Sequence, residues 1–204
     1  TSAYRAIKNG IKINDVFAIA KEFKLSKKTT PIILMGYYNM IYQYDENKFL
    51  KKCKSSRIDG LIVVDLPYPE NKSFSKKCKR KGINFIQLVS PTTSNIRLKK
   101  IIKDSHDMIY YISMLSTTGG KLKVSPEQII DNFNKIKNQN KAKNVVIGFG
   151  ITKKTIAKLT SADGLVVGSA ICNEITKSLN NRQNPITNVI KIVSILKKKI
   201  IWTG

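Results

Sequence analysis

Histidine occurs once in these 204 residues, cysteine three times, and acidic side chains only 13 times against 37 Lys and Arg. Each shortage excludes something. A lone His106, set between Ser105 and Asp107 ahead of an apolar run, supports neither a His-rich metal site nor a Ser/His nucleophile pair, so no metal is expected. Cys53, Cys78 and Cys172 lie far apart, each within a helical pattern, and read as reduced packing residues instead of a disulfide frame. No apolar run approaches the roughly 18 residues that cross a membrane, so a soluble protein is expected. The chain opens on Thr1 with neither a methionine nor a basic-then-apolar leader, and that start reads as a cut.

The scarcity of acid leaves a formal net charge of +24, which favours polyanions in principle. The lysines, however, are spread over nearly every candidate helix (Lys51 and Lys52, Lys76 and Lys77, Lys99 and Lys100, Lys153 and Lys154, Lys197 to Lys199) and form no stripe. No aromatic-basic stacking pattern accompanies them. An Ile-, Lys- and Asn-rich drift of the kind that AT-rich genomes produce, solvating the outer faces of helices, accounts for the charge without nucleic acid.

What is present is an alternation. Short apolar, β-branched runs at 32–37, 60–66, 84–90, 108–114, 145–149 and 164–168 are separated by helical patterns. That is the signature of parallel strands with crossover helices, and runs apolar on both faces are strands covered on both sides. Asn14, Asp45, Ser94 and Thr152 are candidate N-caps, and Gly82 can end the helix running from about residue 70. Ser125-Pro126-Glu127-Gln128 comes close to a capping box and opens a helix to about Lys137. In the tail from Pro185, Ile186, Val189, Ile190, Val193, Leu196 and Ile200 step by three and four along one face, a helical spacing. Six strands fall short of the eight that close a barrel and fit an open doubly wound sheet equally well. No composition break divides the chain, so one domain spanning 1–204 is expected.

Three strand ends carry glycine: Thr118-Gly119-Gly120, Gly148-Phe149-Gly150 and Gly168-Ser169. A phosphate dianion needs backbone N–H groups at close approach and a helix N-terminus directed at it, and glycine lets the backbone come near. Any one pair alone is weak evidence, because glycine also ends strands and opens turns for steric reasons; their placement at successive late strands is what points to a ligand.

Several runs together resemble the tryptophan synthase alpha subunit family: 31–39 (PIILMGYYN), 59–67 (DGLIVVDLP), 88–93 (LVSPTT), 110–119 (YYISMLSTTG), 148–151 (GFGI) and 163–171 (DGLVVGSAI). Residues 5–10 resemble the helix after the family's second strand. The resemblance covers essentially the whole chain and implies an α/β fold, the (β/α)8 TIM barrel, with the first strands and helix missing from this chain. About 60–70 further N-terminal residues, two more βα units, would complete it.

The resemblance also implies aldol-type cleavage of indole-3-glycerol phosphate to indole and glyceraldehyde 3-phosphate in tryptophan biosynthesis. Indole then passes to a pyridoxal-phosphate-dependent beta subunit in an alpha2beta2 tetramer, so that no cofactor belongs to this subunit. On that basis Gly119, Gly150, Gly168 and Ser169 grip the phosphate, with Thr118 in the closing loop. Tyr37, Ile62, Leu88, Tyr110 and Phe149 line the indole pocket, although inward side chains of those types are also ordinary barrel core. Asp65, at a strand's C-terminal end, either accepts hydrogen bonds from the closing loop or ties down its own turn, and Asn39 resembles a position facing the beta subunit. Where relatives often carry Arg-Thr-Gly-Val, this chain has Met114-Leu115-Ser116-Thr117.

The family's catalytic glutamate and aspartate would both precede Thr1, so no catalytic residue is assigned within the chain. The alternative reading is a non-catalytic subunit that binds a phosphate ligand and regulates a partner enzyme. The Lys/Asn/Ile bias suits a plastid stroma or the cytoplasm of a bacterial endosymbiont.

Overall fold

Apolar segments alternate with helices, and among the described residues four pairs of the strands they form run parallel. The computed structural model describes residues 2–113, 116–117, 120–121, 124–148, 151 and 155–200. It falls into two compact units, Thr1–Leu88 with Asp104–Asp107, and Val89–Lys103 with Met108–Gly204.

In the first unit, α1 (Ser2–Lys8) and α2 (Ile13–Ser26) lead into β1 (Ile33–Gly36), followed by α3 (Tyr38–Tyr44), α4 (Glu46–Ser55), β2 (Gly60–Val63), α5 (Lys72–Arg80) and β3 (Asn84–Phe85). The strand β4 (Gln87–Val89) straddles the division. Ile33 aligns with Gly60 and Gly36 with Val63, and Gly60 in turn aligns with Asn84. β2 is buried at all four positions, as a central parallel strand should be. Its Leu61 and Val63 pack with Phe17, Phe49, Phe74 and Phe85 in one apolar cluster between sheet and helices. Edge-on ring contacts join Phe74 to Tyr38 and to Phe85, both at 5.9 Å.

The second unit contains α6 (Asn95–Asp104, whose last residue belongs to the first unit), β5 (Met108–Ile112), a short antiparallel pair β6 (Ser116–Thr117) and β7 (Gly120–Lys121), α7 (Pro126–Lys137), β8 (Asn144–Gly148), β9 (Gly164–Val166), α8 (Ser169–Asn180) and α9 (Pro185–Lys198). β8 lies between β5 and β9, with Met108 opposite Asn144 and Val146 opposite Gly164.

The local signals read from the sequence mostly operate as expected. The Asp45 carboxylate accepts the Lys48 N–H at 2.9 Å, Ser125 and Gln128 exchange the two hydrogen bonds of a capping box, and Gly82 closes α5 at φ +66°. Four details differ. The N-cap of α2 is Lys12, two residues before the expected Asn14, and Asp15 accepts the Lys12 N–H at 2.7 Å. α9 forms as the spacing implies, but it buries Ile192 and Leu196 while Ile186 and Ile190 are exposed, so its covered stripe does not coincide with that apolar face. The run 84–90 is two strands, not one, and Cys172 is exposed, unlike buried Cys53 and Cys78. Thr152 lies outside the described residues.

Candidate functional site at the strand C-terminal ends

In a parallel βα unit the strand's C-terminal end and the loop after it face the side where ligands are held. In the first unit these ends carry Tyr37, directly after β1, Ile62 within β2, and Leu88 within β4. Tyr37 is exposed, Ile62 buried and Leu88 half-buried. Side chains alternate along a strand. Leu61 and Val63 join the cluster under the helices, so Ile62 faces the opposite side of the sheet. Leu88 likewise faces away from Gln87, whose amide meets Asn71 at the start of α5.

Asp65 lies just past β2, and its Oδ1 accepts the backbone N–H of Tyr38 at 2.7 Å. The carboxylate therefore caps α3 from a neighbouring loop. Among the described residues it makes no hydrogen bond to its own turn, and the expected closing loop, at Thr118 and Gly119, lies outside them. Tyr38 is held a second time through its hydroxyl, which donates to Glu46; Glu46 also pairs with Lys77. That bond, then burial, pushes the Tyr38 phenol up to about 12. Burial works to raise the Glu46 carboxyl, but the hydrogen bonds from Lys77 and Tyr38 outweigh it and leave it below its usual range. The next residue, Asn39, is exposed, and its side-chain oxygen accepts the Met40 N–H at 2.8 Å.

In the second unit, Tyr110 is buried, and its ring lies over Gly148 on the neighbouring strand. A Cβ at Gly148 would stand 1.9 Å from the Tyr110 hydroxyl oxygen and 2.2 Å from Cζ, so the ring occupies the space of the missing side chain. Gly168 is different. It is exposed, nothing among the described residues lies within 4 Å of a Cβ built there, and it is the N-cap of the 12-residue helix α8, which has no acid in its first turn. Ser169 is the first residue of that helix. An open glycine ahead of an uncompensated helix N-terminus is suited to an anion. Phe149 and Gly150 lie outside the described residues, as Thr118 and Gly119 do.

Tyr37, Ile62, Leu88 and Asp65 thus share the first unit, and Tyr110, Gly168 and Ser169 the second. Gly148 was legible only as a strand end; its steric role depends on which strand lies beside it.

The opposite, N-terminal strand ends carry structural pairs. Asp59 Oδ2 accepts the Ile32 N–H and pairs with Lys24, both at 2.7 Å, and Asp163 Oδ2 does the same with the Val145 N–H and Lys137, again both at 2.7 Å. His106 Nδ1 accepts the Phe85 N–H at 2.9 Å, which leaves the proton on Nε2, 3.2 Å from Ser75 Oγ. Such an imidazole donates to the serine and cannot take its proton, so this Ser/His contact is no nucleophile pair. Among the described residues no group of three His, Cys, Asp or Glu side chains is placed to hold a metal ion, and no helix is long and apolar enough to cross a membrane.

Solved structures with the same course of chain define the class. A tryptophan synthase alpha subunit from Legionella pneumophila superposes with a TM-score of 0.87 at 31% identity, over 97% of this chain and 72% of that one. A Pyrococcus furiosus chain, from a structure that describes mutual activation of its tryptophan synthase α2β2 complex, superposes with a TM-score of 0.79 at 34% identity over 95% of this chain and 77% of its own. The fold is therefore that of the α/β class, the (β/α)8 TIM barrel. The family model described as tryptophan synthase alpha chain matches residues 1–201. The tryptophan synthase alpha chain of Pelagibacter ubique is 70% identical over 200 residues, 98% of this chain and 76% of that protein. The chain belongs to the tryptophan synthase alpha chain family, a lyase-type family of tryptophan biosynthesis.

Proposed function

We propose that this chain binds indole-3-glycerol phosphate for cleavage to indole and glyceraldehyde 3-phosphate, and that 1–204 belongs to one barrel domain. The observation that carries this reading is the open, exposed Gly168 at the acid-free N-terminus of α8, at a strand's C-terminal end, in a chain matched along 1–201 by one family model. Gly168 and Ser169, with Thr118, Gly119 and Gly150, hold the phosphate. Tyr37, Ile62, Leu88, Tyr110 and Phe149 are the residues assigned to recognition of the indole.

In the cleavage, the bond between indole C3 and the adjacent glycerol carbon breaks. Its electron pair stays with the ring, which takes up a proton at C3, and the carbinol hydroxyl loses its proton as it becomes the aldehyde. A donor and an acceptor of tuned pKa are needed. Asp65 has one oxygen committed to the α3 N-terminus, which suits it to positioning. We assign the proton-transferring pair of carboxylates to residues outside these 204. The pyridoxal phosphate chemistry belongs to a beta subunit partner, a reading supported by the α2β2 complex of the Pyrococcus furiosus relative. A bacterial cytoplasm is the setting we favour, supported by the Pelagibacter ubique relative; nothing found supports a plastid.

Calorimetry with glycerol 3-phosphate, beside an assay for released indole, tests this. Phosphate-ester binding without turnover by the 204-residue chain is expected, with binding weakened at least about tenfold in Gly168→Asp, which sets a carboxylate before the helix N-terminus. Turnover by this chain overturns the assignment of the carboxylates, and unchanged binding in Gly168→Asp overturns the phosphate site.

A further inference from the structure

Two amide side chains are buried behind the wall that carries Ile62 and Leu88. Asn71 is 1% exposed and Gln87 3% exposed. Asn71 Nδ2 donates to Gln87 Oε1 at 2.8 Å, Gln87 Nε2 donates back to Asn71 Oδ1 at 3.4 Å, and Asn71 Nδ2 also reaches the Leu66 carbonyl at 3.3 Å. Apolar side chains at both positions would pack here without that arrangement, and a buried amide is tolerated only while its partners stay in place.

The pair connects three pieces of backbone. Asn71 starts α5, with its carbonyl accepting the Ser75 N–H at 2.8 Å. Gln87 lies in β4, next to Leu88. Leu66 follows Asp65 in the loop after β2, and Asp65 is fixed on its other side by the Tyr38 N–H. The loop is therefore held from the α3 side by a carboxylate and from beneath by an amide pair.

We propose that Asn71 and Gln87 are positioning residues that set the spacing of the Ile62 and Leu88 strand ends, and with it the fit of the indole. Neither amide touches the ligand; each acts through the backbone it holds. This rests on the substrate reading above and adds a division of labour: the amide pair tunes the indole end, while the phosphate end depends on α8. Small displacements of such a wall have large effects, since a shift of about 1 Å at a site can cost about 100-fold in rate.

The test compares affinities of the 204-residue chain for indolepropanol phosphate, which is the substrate without its two glycerol hydroxyls, and for glycerol 3-phosphate. Asn71→Leu alone leaves Gln87 buried without its partner and is expected to lower the Tm. The double variant Asn71→Leu/Gln87→Met replaces both amides with apolar groups of similar size and is expected to recover most of that loss. Its affinity for indolepropanol phosphate should nonetheless fall about tenfold, with glycerol 3-phosphate within about twofold of wild type.

Gln87→Met alone keeps the Asn71 bond to Leu66 and should shift the affinity ratio in the same direction by a smaller factor. It serves as the readout if the double variant does not fold. A folded variant with the wild-type ratio of affinities overturns the positioning role. A wild-type chain that binds neither ligand overturns the proposed function, and this inference with it.

Discussion

Replacing Gly148 by alanine tests the packing of Tyr110 directly. The added Cβ would lie 1.9 Å from the hydroxyl oxygen, 2.2 Å from Cζ and 2.6 Å from Cε1 of that ring, all far inside van der Waals contact. Tyr110 aligns with Val146 across β5 and β8, and Ile112 aligns with Gly148, so the ring leans diagonally over the glycine. It is 5% exposed, and burial holds its phenol above the usual range. The ring must swing off its place or the strands must part. Overpacking of this kind costs about 1–3 kcal/mol, and at roughly 2–4 °C per kcal/mol for a chain of this size the Tm should fall by about 2–12 °C.

Circular dichroism melts of wild type, Gly148→Ala, Tyr110→Leu and the double variant measure the coupling. Once the ring has gone, the alanine should be tolerated, so the two losses should fall short of additive by at least about 1 kcal/mol. Tyr110→Phe should not rescue, because Cζ and Cε1 remain in the way. A Gly148→Ala protein that melts with wild type, or strictly additive losses, would refute the packing argument.

Three further outcomes follow from the paired strand starts and the half-buried Glu46 contacts. Asp163→Ala, which strips the Val145 N–H and Lys137 of their shared acceptor, should cost about 1–3 kcal/mol in urea denaturation. Asp163→Asn, which keeps an acceptor, should cost less. His106→Ala leaves the N–H of buried Phe85 without this acceptor and should lower stability by a similar amount, about 1–3 kcal/mol, with Ser75→Ala milder; equal effects would contradict the assignment of the accepting nitrogen. Because the Glu46 carboxyl is held below its ordinary 4.5, its contribution is fully present above that pH and is lost as the pH falls through the folded-state value. The Tm gap between wild type and Glu46→Gln should therefore close on acidification below about pH 4.5; a gap that widens there would reverse the sign of the argument.

Family and chain course were legible from residues alone, because each rests on local order. Apolar runs alternating with capped helices dictate βα steps, and Ser125-Pro126-Glu127-Gln128 formed the expected capping box since all its partners lie within four residues. The runs at 31–39, 59–67 and 163–171 carried the family resemblance in order, and the match along 1–201 rests on the same chain. What the tertiary structure alone decided is who meets whom across the strands. Gly148 needs no side chain because Tyr110 comes from the neighbouring strand to fill its space. Asp65 caps a helix 27 residues earlier, and Asn71 and Gln87 become a buried pair only when α5 packs behind β4. The outward rotation of Ile186 and Ile190 on α9 has the same origin: periodicity marks an apolar face, but the neighbours available to cover it determine which part is buried.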